Sequence, residues 1–294
     1  MSPGRHQTPT SSRPAATPRR WTWRLGSLFG IDTEIHASFL LILAWVALSS
    51  WRVSPSLIAV GASLLFTALV FGSVVLHELG HALTARRFGI QTRAITLYPI
   101  GGVASLEGSP RTPRQELLIA VAGPAVNLVI AAVLALSLFL FGATGITAPL
   151  LLMFAQSLLV ANLMLAVFNM LPAFPMDGGR VLRAWLERRR GRLEATQTAA
   201  TVGKVFAVLF GIYGLFNNPV LLLIAPFVWF AGERELRMAK LQERFARRAA
   251  PRPEPGFGGG FGGGFGGGLG GGTVETIVEL DEHGRPVRVH RILH

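Results

Sequence analysis

The 294-residue sequence contains no cysteine. That excludes disulfides, thiolate nucleophiles and cysteine-ligated zinc, so any metal must sit on His, Asp, Glu or Asn. Charge is scarce too. Asp, Glu, Lys and Arg make up 15% of the chain, against about 25% in a typical soluble domain. Half of the residues are hydrophobic and the mean hydropathy is +0.46. A disordered chain is excluded, because it needs low hydrophobicity, and an ordinary soluble enzyme is disfavoured.

The missing charge is concentrated in runs. No Lys or Arg occurs from Val53 to Ala85, from Gln115 to Gly179, or from Val205 to Gly232. A bilayer span needs roughly 20 apolar residues. The first run fits one helix, about Ser56 to Thr84. The second fits two, about Glu116 to Phe141 and Pro149 to Leu171. The third reads as a helical hairpin, about Thr196 to Phe216 and Val220 to Ala231, in which Lys204 has to snorkel. A span from His36 to Trp51 precedes them. The reading is an all-α polytopic membrane protein with six transmembrane helices.

The net charge of +12 agrees with that layout. Six spans place 23 juxtamembrane and amino-tail Lys and Arg on one side, and Arg52 alone on the other. The positive-inside rule makes the basic side cytoplasmic. Both termini then lie in the cytoplasm of a multi-pass plasma-membrane protein. The basic charge is juxtamembrane and faces the lipid bilayer, so no nucleic acid is needed to explain it.

Residues 1–20 lack the apolar core of a cleavable signal peptide. Residues 1–29 read as a disordered basic cytoplasmic tail, and residues 30–235 as the six-helix core. Residues 236–272 are a basic and then Gly-rich linker. In residues 273–294 apolar and polar positions alternate on either side of a turn-like Asp281–Gly284, which suggests a small β-hairpin.

His77-Glu78-Leu79-Gly80-His81 is an HExxH sequence on a helix. Two histidines at i and i+4 share one helical face and can grip one zinc, and the glutamate can take a proton from the zinc's water. A pair of helix-capping histidines is the alternative. It is weak inside an apolar span, where ionisable groups are costly unless they serve a site. A catalytic zinc usually has three protein ligands. Asp177 is the only Asp between Asp32 and Asp281, and it follows a stretch broken by Pro172 and Pro175 near the cytoplasmic end of span four. An Asp before Gly178-Gly179 is also an ordinary turn residue. His36, Glu107 and Glu116 are the other candidates.

An intramembrane HExxH followed by Asn169-Met-Leu-Pro172-Ala-Phe-Pro175-Met-Asp177-Gly178 resembles the site-2 protease family of intramembrane zinc metalloproteases. Leu97-Tyr-Pro-Ile-Gly101-Gly102-Val-Ala is similar to that family's membrane-associated β-hairpin loop, which would lie between helices 2 and 3. Ala122-Gly123-Pro124-Ala-Val-Asn127 is similar to its third-helix motif. The likeness covers about Gly30 to Glu235. It is greatest to the sporulation-factor-processing branch, although the CBS pair often found there has no counterpart here, and neither does a PDZ domain.

The resemblance implies His77, His81 and Asp177 as ligands of one Zn2+, Glu78 as general base, and a membrane protein as substrate. It also suggests that Asn169 bonds the substrate backbone or the oxyanion, the alternative being a helix-packing role. Asn127 reads as a packing residue. Gly101 and Gly102 either admit an extended substrate strand or form a plain turn. The function so implied is intramembrane endoproteolysis of other membrane proteins. The rivals are a metalloprotease cutting loops at the cytoplasmic surface, a zinc-binding membrane transporter, and an inactive scaffold. The sequence does not specify an oligomeric state.

Overall fold

The computed structural model describes residues 21–99, 101–144, 148–249, 274–280 and 286–293. The expectations for residues 1–20, for the Gly-rich stretch 251–272 and for the 281–284 turn lie outside these residues. The chain divides into two compact units, Met1–Leu236 and Arg237–His294.

The first unit opens with two strands, β1 (Thr22–Leu28) and β2 (Ile31–His36). Phe29 and Gly30 join them, both at positive φ (52° and 80°). A two-residue turn of that hand matches the twist of the strands it connects, and Leu28 faces Ile31 across it. Two helices follow, α1 (Phe39–Val53) and α2 (Leu57–Arg87). The chain then returns to the same sheet as β3 (Thr92–Tyr98) and β4 (Gly101–Leu106). The strand order is β1-β2-β3-β4. β2 and β3 pair in parallel, and the outer pairs are antiparallel.

Three expectations are corrected here. Residues 21–29 are not part of a disordered tail, because the backbone of Trp23 and its neighbours pairs with β2. His36 does not open a span. It closes β2, stacks on Tyr98 at 5.0 Å, and α1 begins three residues later at Phe39. The β3–β4 hairpin is half of a four-stranded sheet, so the fold is mostly rather than wholly helical.

Helices α3 (Pro113–Thr144), α4 (Pro149–Asn169), α5 (Asp177–Arg190), α6 (Arg192–Phe216) and α7 (Pro219–Ala249) complete the unit or continue from it. Three of the five begin with proline, which has no N–H to leave unpaired at that position. Gly191, at φ 77°, separates α5 from α6. Helices α2, α3, α4 and α6 are long and apolar enough to cross a membrane. Their outward side chains are bare: Ile58 is 84% exposed, Phe139 73% and Phe216 78%. Large apolar surface of that extent needs lipid to cover it. The chain is a membrane protein, mostly helical, with a small sheet.

The sheet is packed against one face of α2. Ile31 and Ile95 meet Leu79 and Ala82, while Leu97 and Phe39 meet Val75. These contacts bracket the His77–His81 turn and hold it in register. In the second unit, β5 (Val274–Leu280) and β6 (Pro286–Leu293) pair antiparallel.

Candidate metal centre

α2 ends at Arg87. At 1.5 Å per residue, His81 lies about 9 Å and His77 about 15 Å inside that end. Both are buried, and His81 stands edge-on to His77. α4 stops at Asn169, and Asp177 is the first residue of the next helix. An acid is favoured in a first turn by the helix dipole. The intervening chain folds back closely on α5. A side chain at Gly178 would strike the carbonyls of Met170 and Leu171, and one at Gly179 would come within 2.8 Å of the Phe174 nitrogen.

These elements bring His77, His81 and Asp177 together. Asp177 Oδ2 is 3.2 Å from His77 Nε2 and 3.0 Å from His81 Nε2, and the two imidazole nitrogens are 3.1 Å apart. Among the described residues this is the one group of His, Asp or Glu side chains close enough to share an ion.

The hydrogen bonds behind the triangle fix its chemistry. Asn162 Nδ2 donates to the Leu158 carbonyl at 2.9 Å, and that carbonyl can only accept. Asn162 Oδ1 therefore accepts from Asn127 Nδ2 at 2.9 Å. Asn127 Oδ1 in turn accepts from His77 Nδ1–H at 2.5 Å. His81 Nδ1–H donates to the Ile119 carbonyl at 2.6 Å. In its neutral form each imidazole then carries its proton on Nδ1 and turns a bare Nε2 lone pair inward, the form that binds a metal. Two lone pairs and a carboxylate oxygen converging at 3.0–3.2 Å repel one another unless a cation lies among them. Ligands about 2.0–2.1 Å from a tetrahedral zinc stand about 3.3 Å apart, close to these edges. Gly123 of α3 keeps the space open, since a Cβ there would collide with both Nε2 atoms. The residues fit a divalent metal.

Glu78 lies to one side, half-buried between α2 and β4. A Cβ at Gly102 would come within 2.7 Å of Glu78 Cγ, so the β4 glycine makes room for the glutamate. Asn169 Nδ2 donates to the Leu165 carbonyl at 2.9 Å, which commits one of its two N–H groups inside its own helix.

The other candidates are elsewhere. Glu107 is exposed, and His36 is held by Ser38 and Tyr98. Glu116 is buried, but its partner is Arg183. Asn127, read from sequence as packing, is the hydrogen-bond partner of His77. Asn162 and Ser73, which bond each other at 3.1 Å, carry a signal that was present, since a polar side chain in an apolar span needs a partner there. Lys204 does not reach out alone. It pairs with Glu233 and lies over the Trp229 ring.

A polytopic membrane fold that brings an Asp of a second helix onto the two histidines of an HExxH helix defines a class, and the comparisons give it a family. A model of peptidase family M50 matches residues 65–151 and 143–211. "Zinc metalloprotease MJ0392" of Methanocaldococcus jannaschii is 41% identical over 223 residues, covering 76% of this chain and 62% of that protein. "Putative zinc metalloprotease Rip3" of Mycobacterium tuberculosis is 34% identical over 239 residues, covering 76% and 60%. The solved "Site-2 Protease from Methanocaldococcus jannaschii" is 38% identical with a TM-score of 0.54, covering 74% of this chain and 95% of that one. The chain belongs to peptidase family M50, the site-2 protease family. It spans about three-fifths of the length of the two curated relatives.

Proposed function

We propose that this protein is a zinc-dependent intramembrane endopeptidase that cuts transmembrane or membrane-proximal segments of other membrane proteins. The observation that carries the reading is the buried triangle of His77 Nε2, His81 Nε2 and Asp177 Oδ2, with both histidines locked into the ligating tautomer. These three side chains are the proposed metal ligands. Zinc held there supplies Lewis acidity and acidifies a water.

Glu78 acts as general base. It accepts the proton of the attacking water as the water oxygen bonds to the peptide carbon. It then returns the proton to the amide nitrogen as the C–N bond breaks. Asn169, at the end of α4, is proposed to hydrogen-bond the substrate backbone with the groups it does not spend on Leu165. A helical substrate hides its carbonyls in internal hydrogen bonds, so it must unwind locally before Glu78 and the ligands can act on it. A transporter would have no use for a base beside the first ligand.

The function is tested on the purified full chain in liposomes with a co-reconstituted membrane substrate. One zinc per chain and cleavage abolished by a chelator and restored by zinc are expected. Cleavage that persists in the metal-free protein would end the reading.

Six crossings are proposed, with both termini cytoplasmic in the plasma membrane. Two pairings support that count. β2 and β3 hydrogen-bond to each other, so they lie on one side of the bilayer. With α2 as a crossing helix, a crossing by α1, whose 15 residues span about 22 Å, keeps both strands on that side. Likewise Arg183 of α5 pairs with Glu235 of α7 at 2.6 Å. The chain between them contains α6, and a return through the apolar start of α7 keeps both partners of that pair on one side. The core is proposed to run from residue 21 to 235, with 236–272 as linker and 273–294 as a small appended unit. Reporter fusions after Arg52, Ala143 and Asn218 should read as external, and a fusion at residue 190 as cytoplasmic. An external signal at 190 would sink the six-span topology.

A further inference from the structure

Arg183 lies two turns into α5 and is 6% exposed. Its Nε donates to Glu116 Oε1 at 2.8 Å and its Nη2 to the same oxygen. Its Nη1 donates to Glu235 Oε1 at 2.6 Å. Its guanidinium lies 5.0 Å from the centroid of the Phe174 ring. One side chain thus grips three separate pieces of chain: the first turn of α3, the far half of α7, and the loop that leads to Asp177. Glu116 is 3% exposed, and its second oxygen lies 3.6 Å from Arg192 Nη1. Burial works against the Arg183 cation, yet Glu116 and then Glu235 hold its pKa above the ordinary arginine value.

The place of this cluster matters more than its strength, because buried ion pairs are poor sources of stability. Asp177 is the first residue of α5, so it moves wherever that helix moves. α3 carries Glu116, and one turn later the Ile119 carbonyl that orients His81. It also carries Gly123 and Asn127, which border both imidazoles. The Arg183–Glu116 bond therefore joins the helix that bears the carboxylate to the helix that frames the histidines. The loop before Asp177 contains two prolines and cannot set that spacing by regular backbone bonding. A buried charge has few alternative partners, so the join permits one register.

We propose that Arg183 is a positioning residue, and that the Glu116–Arg183–Glu235 clamp sets Asp177 at ligating distance from His77 and His81. The inference rests on the metal reading above.

It is tested on the full chain loaded with cobalt in place of zinc. The d–d absorption bands of cobalt report ligand number and geometry, and competition with a chelator gives the affinity. The double variant Arg183→Met/Glu116→Leu removes both buried charges, so neither is left unpaired. It should stay folded without metal by circular dichroism, bind cobalt at least about tenfold more weakly, and show altered bands. Arg183→Lys keeps the charge but loses the planar fork that spans two carboxylates, and its affinity should fall between the two. Wild-type affinity and bands in the folded double variant would overturn the clamp. If the double variant does not fold, Arg183→Lys and Glu235→Gln decide: wild-type affinity and bands in both overturn the proposal, and weaker binding with shifted bands supports it. A wild-type chain that takes up no cobalt would overturn the metal reading itself.

Discussion

Glu78→Gln is expected to retain one zinc per chain and lose cleavage by about 10²–10⁴-fold. The amide has the shape of the carboxylate and fills the same space against Gly102, but it cannot accept a proton from water. The three proposed ligands should behave differently. His77→Ala and His81→Ala should lose both zinc and cleavage, and Asp177→Ala should lose cleavage and hold zinc weakly on two side chains. Zinc is measured by mass spectrometry on the purified variants, and cleavage on a co-expressed membrane substrate. Full activity in Glu78→Gln would remove the proposed mechanism. Wild-type zinc and activity in Asp177→Ala would move the third ligand to another residue.

Gly123→Ala should be as damaging as loss of a ligand, although position 123 supplies no ligand atom. A Cβ there would lie 2.7 Å from His77 Nε2 and 2.6 Å from His81 Cε1. The imidazoles cannot retreat without breaking the bonds from Nδ1 to Asn127 and to Ile119. Zinc affinity should fall by about 100-fold or more, the upper end of what neighbours of a metal ligand control. Chelator competition on the membrane-extracted variant measures it. Wild-type zinc retention in Gly123→Ala would mean that the two nitrogens do not face α3.

The parts of the fold written as local patterns are legible in the sequence. Charge-free runs mark α2, α3, α4 and α6, because lipid tolerates few ionised groups over that length. HExxH states its own geometry, since i and i+4 share a helical face. Asp177 could be singled out because two prolines end α4 before it. The sheet was harder. β2 and β3 are neighbours in space but two helices apart in sequence, and no local pattern records such a pairing. In β1, Trp23 and Leu25 alternate with Arg24 and Gly26, but the arginines made the segment look like a basic tail. The turn that would have revealed it is Phe29-Gly30, and Phe is an unusual residue at positive φ. Asn162 stands alone as a polar residue in Leu158-Leu-Val-Ala-Asn162-Leu-Met, a signal that a partner must exist without saying which. Glu116 shows the opposite failure. Its burial near the site could be guessed, but its partner Arg183 lies 67 residues away.

The parallel pairing of β2 with β3 also constrains how the protein is made. β2 emerges from the ribosome before α1 and α2, and its partner emerges after them. In the proposed topology that helical pair runs through the bilayer and back, and until it has done so Asp32 to Ile35 have no β3 edge to bond. With the six crossings proposed above, the sheet that braces the HExxH turn is completed only by chains that have integrated both of their first two helices. A chain in which only one of the two helices inserts leaves β2 and β3 on opposite faces of the membrane, and its histidine turn is never braced.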